Sequence, residues 1–196
     1  MKKLIPNNAV LVPDNAERVF KGMIFDVYQW PQKLYDGSEH TFEMLKRADT
    51  VHSICIVNEK VLMLDDEQPH LGRKKTFPGG RVDPGDSSTL NAVKREVQEE
   101  TGYSFKGWQL VKVSQPFSKI EWFTYLYLAW EVDKKTETHH DAGEKIKLTE
   151  LSLPEVKELV SQHEGHLGES APLFENVNLL DDLLGLPEFR GREVDR

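Results

Sequence analysis

The stretch GGRVDPGDSSTLNAVKREVQEETGY, residues 79–103, decides how this chain is read. It opens on Gly and Pro breakers and then offers Asp86, Ser87 and Ser88, residue types that cap helix N-termini. Gly102 suits the position just past a helix C-terminus. The spacing predicts a helix from about residue 87 to Gly102, with Leu90, Val93 and Val97 as one apolar stripe. Arg95, Glu96, Glu99 and Glu100 are crowded into its second half. Glu96 lies three residues from Glu99 and four from Glu100, a like-charge arrangement that costs roughly 0.2–0.5 kcal/mol per pair. At about 100° per residue, Glu96 and Glu100 border the buried stripe and Glu99 lies on the far flank of that pair. Partial burial sharpens the repulsion. Hard oxygen donors converging from one helical turn suit a divalent cation such as Mg²⁺ or Mn²⁺. A solvated charged face, with Arg95 paired to Glu99, is the plainer alternative. Phe77-Pro78-Gly79-Gly80 favours the metal, because glycine lets bare backbone approach the helix start and lend carbonyl ligands.

Composition narrows the class. The chain has 196 residues, 38% hydrophobic and 30% charged, with net charge −8. That length allows one domain and an extra lobe, and the balance is that of a globular protein. So acidic a chain gains no long-range attraction to nucleic acid or to an anionic membrane, so neither is expected as a partner. An anionic substrate must be met by a local basic patch or by metal ions. Cys55 is the sole cysteine and sits in the apolar run Ile54-Cys55-Ile56-Val57, which reads as a packed thiol. Without an internal disulfide, the expected compartment is the cytoplasm. Pro6, Asn7 and Asn8 interrupt any signal-peptide core, and no run reaches membrane-span length.

Around the central stretch the chain alternates strands and helices. Met23–Tyr28 and Thr41–Leu45 are β-rich and flank the turn Asp36-Gly37-Ser38. Ser53–Val57 and Val61–Leu64 flank Asn58-Glu59-Lys60 as a tighter hairpin, apolar enough to be covered on both faces. Asp65–Lys75 reads as a polar loop. Trp108–Ser114 and Phe123–Val132 read as strands, and Glu137–Lys145 as a polar loop. Leu153-Pro154-Glu155 opens a helix through about Gln162. A break at Gly165 and Gly168 precedes an expected helix around Glu175–Leu184, and Arg190–Arg196 reads as frayed. The order predicts a mixed sheet with helices on both faces, without the successive βαβ units of a Rossmann fold.

Residues 80–103 resemble the Nudix box, Gly-x5-Glu-x7-Arg-Glu-U-x-Glu-Glu-x-Gly-U with U apolar. Gly80, Asp86, Arg95, Glu96, Val97, Glu99, Glu100, Gly102 and Tyr103 carry the likeness. Asp86 stands where the pattern has Glu, and eight residues rather than seven separate it from Arg95. A shorter acid and a longer turn offset one another. The resemblance implies a Nudix α/β/α sandwich that hydrolyses a nucleoside diphosphate linked to another moiety. By the same carry-over, Glu96 and Glu100 bind metal, Glu99 stands close by, the Gly79 carbonyl is a further ligand, and Arg95 orients the acids. Asp36-Gly37 through Asp49 resembles the ADP-ribose pyrophosphatase and nucleoside diphosphate sugar branch. That branch implies an N-terminal β-hairpin extension over residues 1–48 that forms a homodimer, a catalytic domain over 49–165 and a helical tail over 166–196. It also implies a loop carboxylate that binds metal or acts as base. Glu144 fits the ligand, and Asp141 or Glu137 the base, while one family position for the base falls on Ala142. In place of the branch's arginine after Leu64, this chain has Asp65-Asp66-Glu67-Gln68.

Arg73-Lys74-Lys75 and Arg81 are the local basic patch, and Arg73 and Arg81 are candidate substrate contacts. Phe117 and Trp122 are candidates for stacking on a base or sugar, with core packing as the alternative. His139-His140 does not read as zinc ligation, since adjacent strand residues point apart and no Cys accompanies them. The expected reaction is Mg²⁺- or Mn²⁺-dependent cleavage of a nucleoside diphosphate sugar, ADP-ribose included, to a nucleoside monophosphate and a sugar phosphate. Two alternatives remain: a nucleoside triphosphate or dinucleoside polyphosphate pyrophosphohydrolase, and a Nudix-fold nucleotide-sugar sensor without turnover.

Overall fold

The computed structural model describes residues 1–69, 72–138, 145–163 and 165–196. In chain order the strands are β1 (Lys2–Ile5), β2 (Glu17–Lys21), β3 (Asp26–Lys33), β4 (Glu39–Lys46), β5 (Thr50–Val57), β6 (Lys60–Gln68), β7 (Gly72–Thr76) and β8 (Gly79–Arg81). Helix α1 (Thr89–Thr101) follows, then β9 (Tyr103–Ser114), β10 (Ile120–Glu121), β11 (Thr124–Lys135) and β12 (Lys145–Leu151). The chain ends in α2 (Leu153–Gln162), α3 (Gly165–Phe174), α4 (Leu180–Leu184) and β13 (Arg192–Asp195).

A mixed sheet in the order β12-β6-β5-β11-β9 forms the middle layer, with β7 beside β6 and β8 beside β5. Its β5–β11 pair is parallel and the other pairs are antiparallel. Side chains alternate between the faces, as the period of a strand dictates. Val51, Cys55, Tyr125 and Tyr127 pack with Ala92, Val93 and Val97 of α1. Ile54, Met63, Leu126 and Leu128 pack with Val156 and Val160 of α2 and Leu167 and Phe174 of α3. The fold is therefore the expected α/β/α sandwich, with helices on both faces of a mixed sheet. Ahead of it, β2, β3 and β4 form a second sheet closed by β10, with its own small core of Val12, Trp30 and Met44. Asn58 and Glu59 both have positive φ, the turn that joins short hairpins with the right twist. No described helix is long and apolar enough to cross a membrane.

Four expectations are corrected. Residues 65–68 and 72–75, expected in a loop, are strand. β6 runs on to Gln68 and β7 returns beside it, with Asp65, Asp66 and Glu67 opposite Lys75, Lys74 and Arg73. Opposed charges replace apolar alternation as the pairing signal there. Gly165 and Gly168 do not break the chain but lie in α3. Gly168 is needed because a Cβ there would stand 2.1 Å from the His163 carbonyl oxygen. Only 180–184 of the expected helix at 175–184 is helical. Finally, 192–195 is not frayed but pairs antiparallel with β1.

Candidate active site

β8 delivers Gly79 and Gly80 to the side of α1. Gly79 has φ +147°, and a Cβ there would lie 2.0 Å from the Val51 carbonyl oxygen, so only glycine fits. Its amide donates to Glu100 Oε2 at 2.7 Å. A Cβ on Gly80 would meet the Glu96 carboxylate at 2.6 Å. The glycines thus bring bare backbone onto both acids, one turn apart on the helix.

Helix α1 begins where Ser88 Oγ accepts the Asn91 amide at 3.1 Å. It ends at Gly102, whose φ of 73° is left-handed. Its buried residues are Ala92, Val93, Val97 and Thr101, and Glu96, Glu99 and Glu100 are intermediate in exposure, at the border of that face. Arg95 organises the acids. Its Nε and Nη2 donate to Asp86 Oδ1 and Oδ2 at 3.2 and 3.0 Å, and Nη2 also reaches the Arg81 carbonyl at 3.0 Å. Nη1 donates to Glu96 Oε1 at 2.9 Å and to Glu99 Oε2 at 3.1 Å. Asp86 further accepts the Asp83 amide at 2.8 Å. The short acid with its extra residue therefore grips Arg95 with both oxygens, a geometry that adds strength and orientation.

The electrostatics follow from burial and pairing. Burial raises the Glu96 carboxyl above its ordinary value, and Arg95 opposes that rise. The hydrogen bonds from Arg95 hold Asp86 below its ordinary value, and those acids raise the Arg95 guanidinium in turn. Cys55 lies on the same side of the sheet, and burial pushes its thiol up to about 12, so it is inert as a nucleophile.

Among the described residues, no three His, Cys, Asp or Glu side chains form a ready-made ligand cluster. The donor set fits a hydrated hard cation nonetheless. Two carboxylates and glycine backbone meet at one place, and Mg²⁺ keeps several waters while taking few protein ligands. Other expected residues are scattered. Arg81 Nε pairs with Asp83 at 2.9 Å. Arg73 Nη2 pairs with Glu67 at 2.9 Å, out on the β6–β7 ribbon. Phe117 is 59% exposed on the loop after β9. Glu137 is exposed. Asp141 and Glu144, with His139, His140 and Ala142, lie outside the described residues.

A cavity of about 690 Å³ adjoins the box loop, between that loop and the N-terminal sheet. Arg81, Asp83 and Asp86 line one side, and Lys21, Met23, Ile24 and Tyr28 the other. Arg47 also lines it, with its guanidinium 4.7 Å from the Trp122 ring and 5.5 Å from that of Phe25. Sequence reading missed the cavity and Arg47, because residues far apart in the chain build it.

A NUDIX domain is matched over residues 46–175, most of the chain, and the chain belongs to that family. With the helix acids in place it is a Nudix pyrophosphohydrolase. Solved structures share the architecture. The crystal structure of an ADP compounds hydrolase superposes with TM-score 0.67 at 20% identity, over 88% of this chain and 94% of that one. A NUDIX hydrolase from Nitrosomonas europaea superposes with TM-score 0.52 at 22% identity, over 69% of this chain and 95% of that one. Among proteins of curated function, none matches this sequence.

Proposed function

We propose that the chain hydrolyses the pyrophosphate of a nucleoside diphosphate sugar, ADP-ribose or a near analogue, to a nucleoside monophosphate and a sugar phosphate. The observation that carries this reading is the convergence of Gly79 and Gly80 on Glu100 and Glu96. The Glu96 and Glu100 carboxylates and the Gly79 carbonyl hold one or more Mg²⁺ or Mn²⁺ ions, with Glu99 close by. When bound, such ions neutralise the pyrophosphate and lower the pKa of a bound water. Arg95 fixes the orientation of Glu96 and Glu99. A general base comes from Glu99, or from Glu137, Asp141 or Glu144 in the acidic stretch of sequence between β11 and β12.

Support for the substrate class comes from the neighbouring cavity, large enough for a small molecule, and from the fold likeness to a hydrolase of ADP compounds. Arg81 and Phe117 are proposed substrate contacts. Arg73 remains a weaker one, since its guanidinium already meets Glu67. The N-terminal sheet is proposed as a homodimer interface.

A panel assay tests the reading. The protein is incubated with Mg²⁺ or Mn²⁺ and ADP-ribose, other nucleotide sugars, dNTPs and dinucleoside polyphosphates, and the products are identified. AMP with ribose 5-phosphate from ADP-ribose is the expected outcome. Pyrophosphate released from dNTPs in preference would sink the sugar assignment, and tight binding without turnover would sink the enzyme.

A further inference from the structure

Both chain ends lie outside the 46–175 domain match, yet they are built into the molecule. β1 pairs with β13 from Lys2–Asp195 to Ile5–Arg192. Ile5 is fully buried, the Phe189 amide donates to Leu110 O at 2.8 Å, and Arg192 donates to Ala9 O at 3.0 Å. From this clasp Lys3 reaches inward. Its Nζ lies 2.6 Å from Asp49 Oδ2 and 5.1 Å from the Phe123 ring centre, and the Lys3 and Asp49 side chains are only 8% and 5% exposed. Asp49 Oδ1 accepts the Phe123 amide at 2.9 Å, and the Asp49 carbonyl accepts the Val82 amide at 2.9 Å. One residue therefore ties the N-terminal strand, the approach to β11 and the box loop together. β5 begins at the next residue, and its register sets Thr50, Val51 and His52 opposite Arg81, Gly80 and Gly79.

A buried ion pair is weak evidence of added stability, because desolvation offsets the attraction and an apolar pair often serves as well. What this pair adds is location. It holds the start of β5 and Val82, and through them the two glycines that meet the helix acids. We propose that Lys3 and Asp49 are positioning residues for the hydrolytic site, acting through β5 and Val82 to hold Gly79 and Gly80 against Glu100 and Glu96. The inference rests on the metal-binding reading of those acids.

The test is Mn²⁺ binding to the full chain, followed by electron paramagnetic resonance of free Mn²⁺ far below every melting transition. Melting temperature, kcat and KM for ADP-ribose are measured in parallel. Lys3→Met is expected to weaken Mn²⁺ binding and lower kcat by about tenfold, the low end for a residue behind a metal ligand. Its KM should stay within about twofold of wild type. Lys3 and Asp49 also line the cavity beside the box loop, so a rise in KM with Mn²⁺ affinity at the wild-type value overturns the proposal in favour of direct substrate contact. Lys3→Arg, which keeps a cation for Asp49, should restore Mn²⁺ binding and kcat. Ile5→Ala loosens the clasp without touching Asp49, so it should lower the melting temperature and leave Mn²⁺ affinity at the wild-type value. Should Lys3→Met fail to fold, Asp49→Asn carries the same expectation, since Asn still accepts the Phe123 amide. Wild-type Mn²⁺ affinity in folded Lys3→Met or Asp49→Asn overturns the proposal, as does an equal loss in Ile5→Ala. Failure of the wild-type chain itself to bind Mn²⁺ overturns the metal reading and the proposal with it.

Discussion

Arg95 donates hydrogen bonds to four partners at once: Asp86, Glu96, Glu99 and the Arg81 carbonyl. Its bidentate bond to Asp86 is the contact through which a shortened acid and a lengthened turn would offset one another. Deleting Ser87, or making Asp86→Glu, should each lower kcat/KM, and the combination should recover much of the loss. Additive losses in that cycle would show that the two departures are independent. Glu100→Gln should lower kcat by on the order of a hundredfold or more, since changing even a group behind a metal ligand costs about 10–100-fold. Its melting temperature should not fall, since carboxylate repulsion is relieved. The raised Glu96 carboxyl makes a pH prediction. The folded chain holds that proton more firmly than the unfolded chain. The resulting stability is complete below the ordinary glutamate value of 4.5 and is lost as pH rises through the raised one. In the metal-free protein, Glu96→Gln should therefore flatten the loss of melting temperature from pH 4.5 towards neutrality. Asp86 acts in the opposite sense, because its carboxyl is lowered. Its contribution is present above the ordinary aspartate value and is lost as pH falls through the lowered one.

At the scale of the element, α1 and β8 work as a pair, and glycines set how close they come. Gly102→Ala would place a Cβ 2.3 Å from the Thr136 carbonyl oxygen at a left-handed φ of 73°. It should cost at least about 1 kcal/mol in denaturant unfolding, the scale of the glycine preference alone. Gly80→Ala acts on the site instead, by driving a methyl into the Glu96 carboxylate. It should lower kcat/KM far more than it lowers stability. Helix α1, its cap and its acids are all legible in the sequence, because a helix is written in neighbours three and four apart. The β6–β7 ribbon is not. Its strands are polar, and what pairs them is a charge match between Asp65-Asp66-Glu67 and Arg73-Lys74-Lys75 that no hydrophobic period records.

For the whole molecule, the N-terminal sheet is the open surface. Phe20, Met23 and Ile24 are 59%, 99% and 63% exposed, an apolar group of the kind that marks an interface. The homodimer reading predicts that sedimentation shows twice the chain mass, and that Phe20→Glu with Ile24→Glu shifts it to the monomer with the fold retained. An unchanged dimer would place the interface elsewhere. The sequence by itself determined the sandwich, the box helix, its capping residues and the acids at the edge of its buried face. The sandwich was read from the order of strands and helices and from the box resemblance, and the rest are local patterns, carried by periodicity, by turn residues or by like charges placed close together. Only the tertiary structure decided that Arg47 faces a cavity, that residues 192–195 are a strand, and that Lys3 reaches Asp49. Those partners stand far apart in the chain: Lys3 and Asp49 are 46 residues apart, and Asp49 and Phe123 are 74. Pairing at that distance leaves no period in the sequence, because it is fixed by how the layers pack and by which buried charge then needs its opposite.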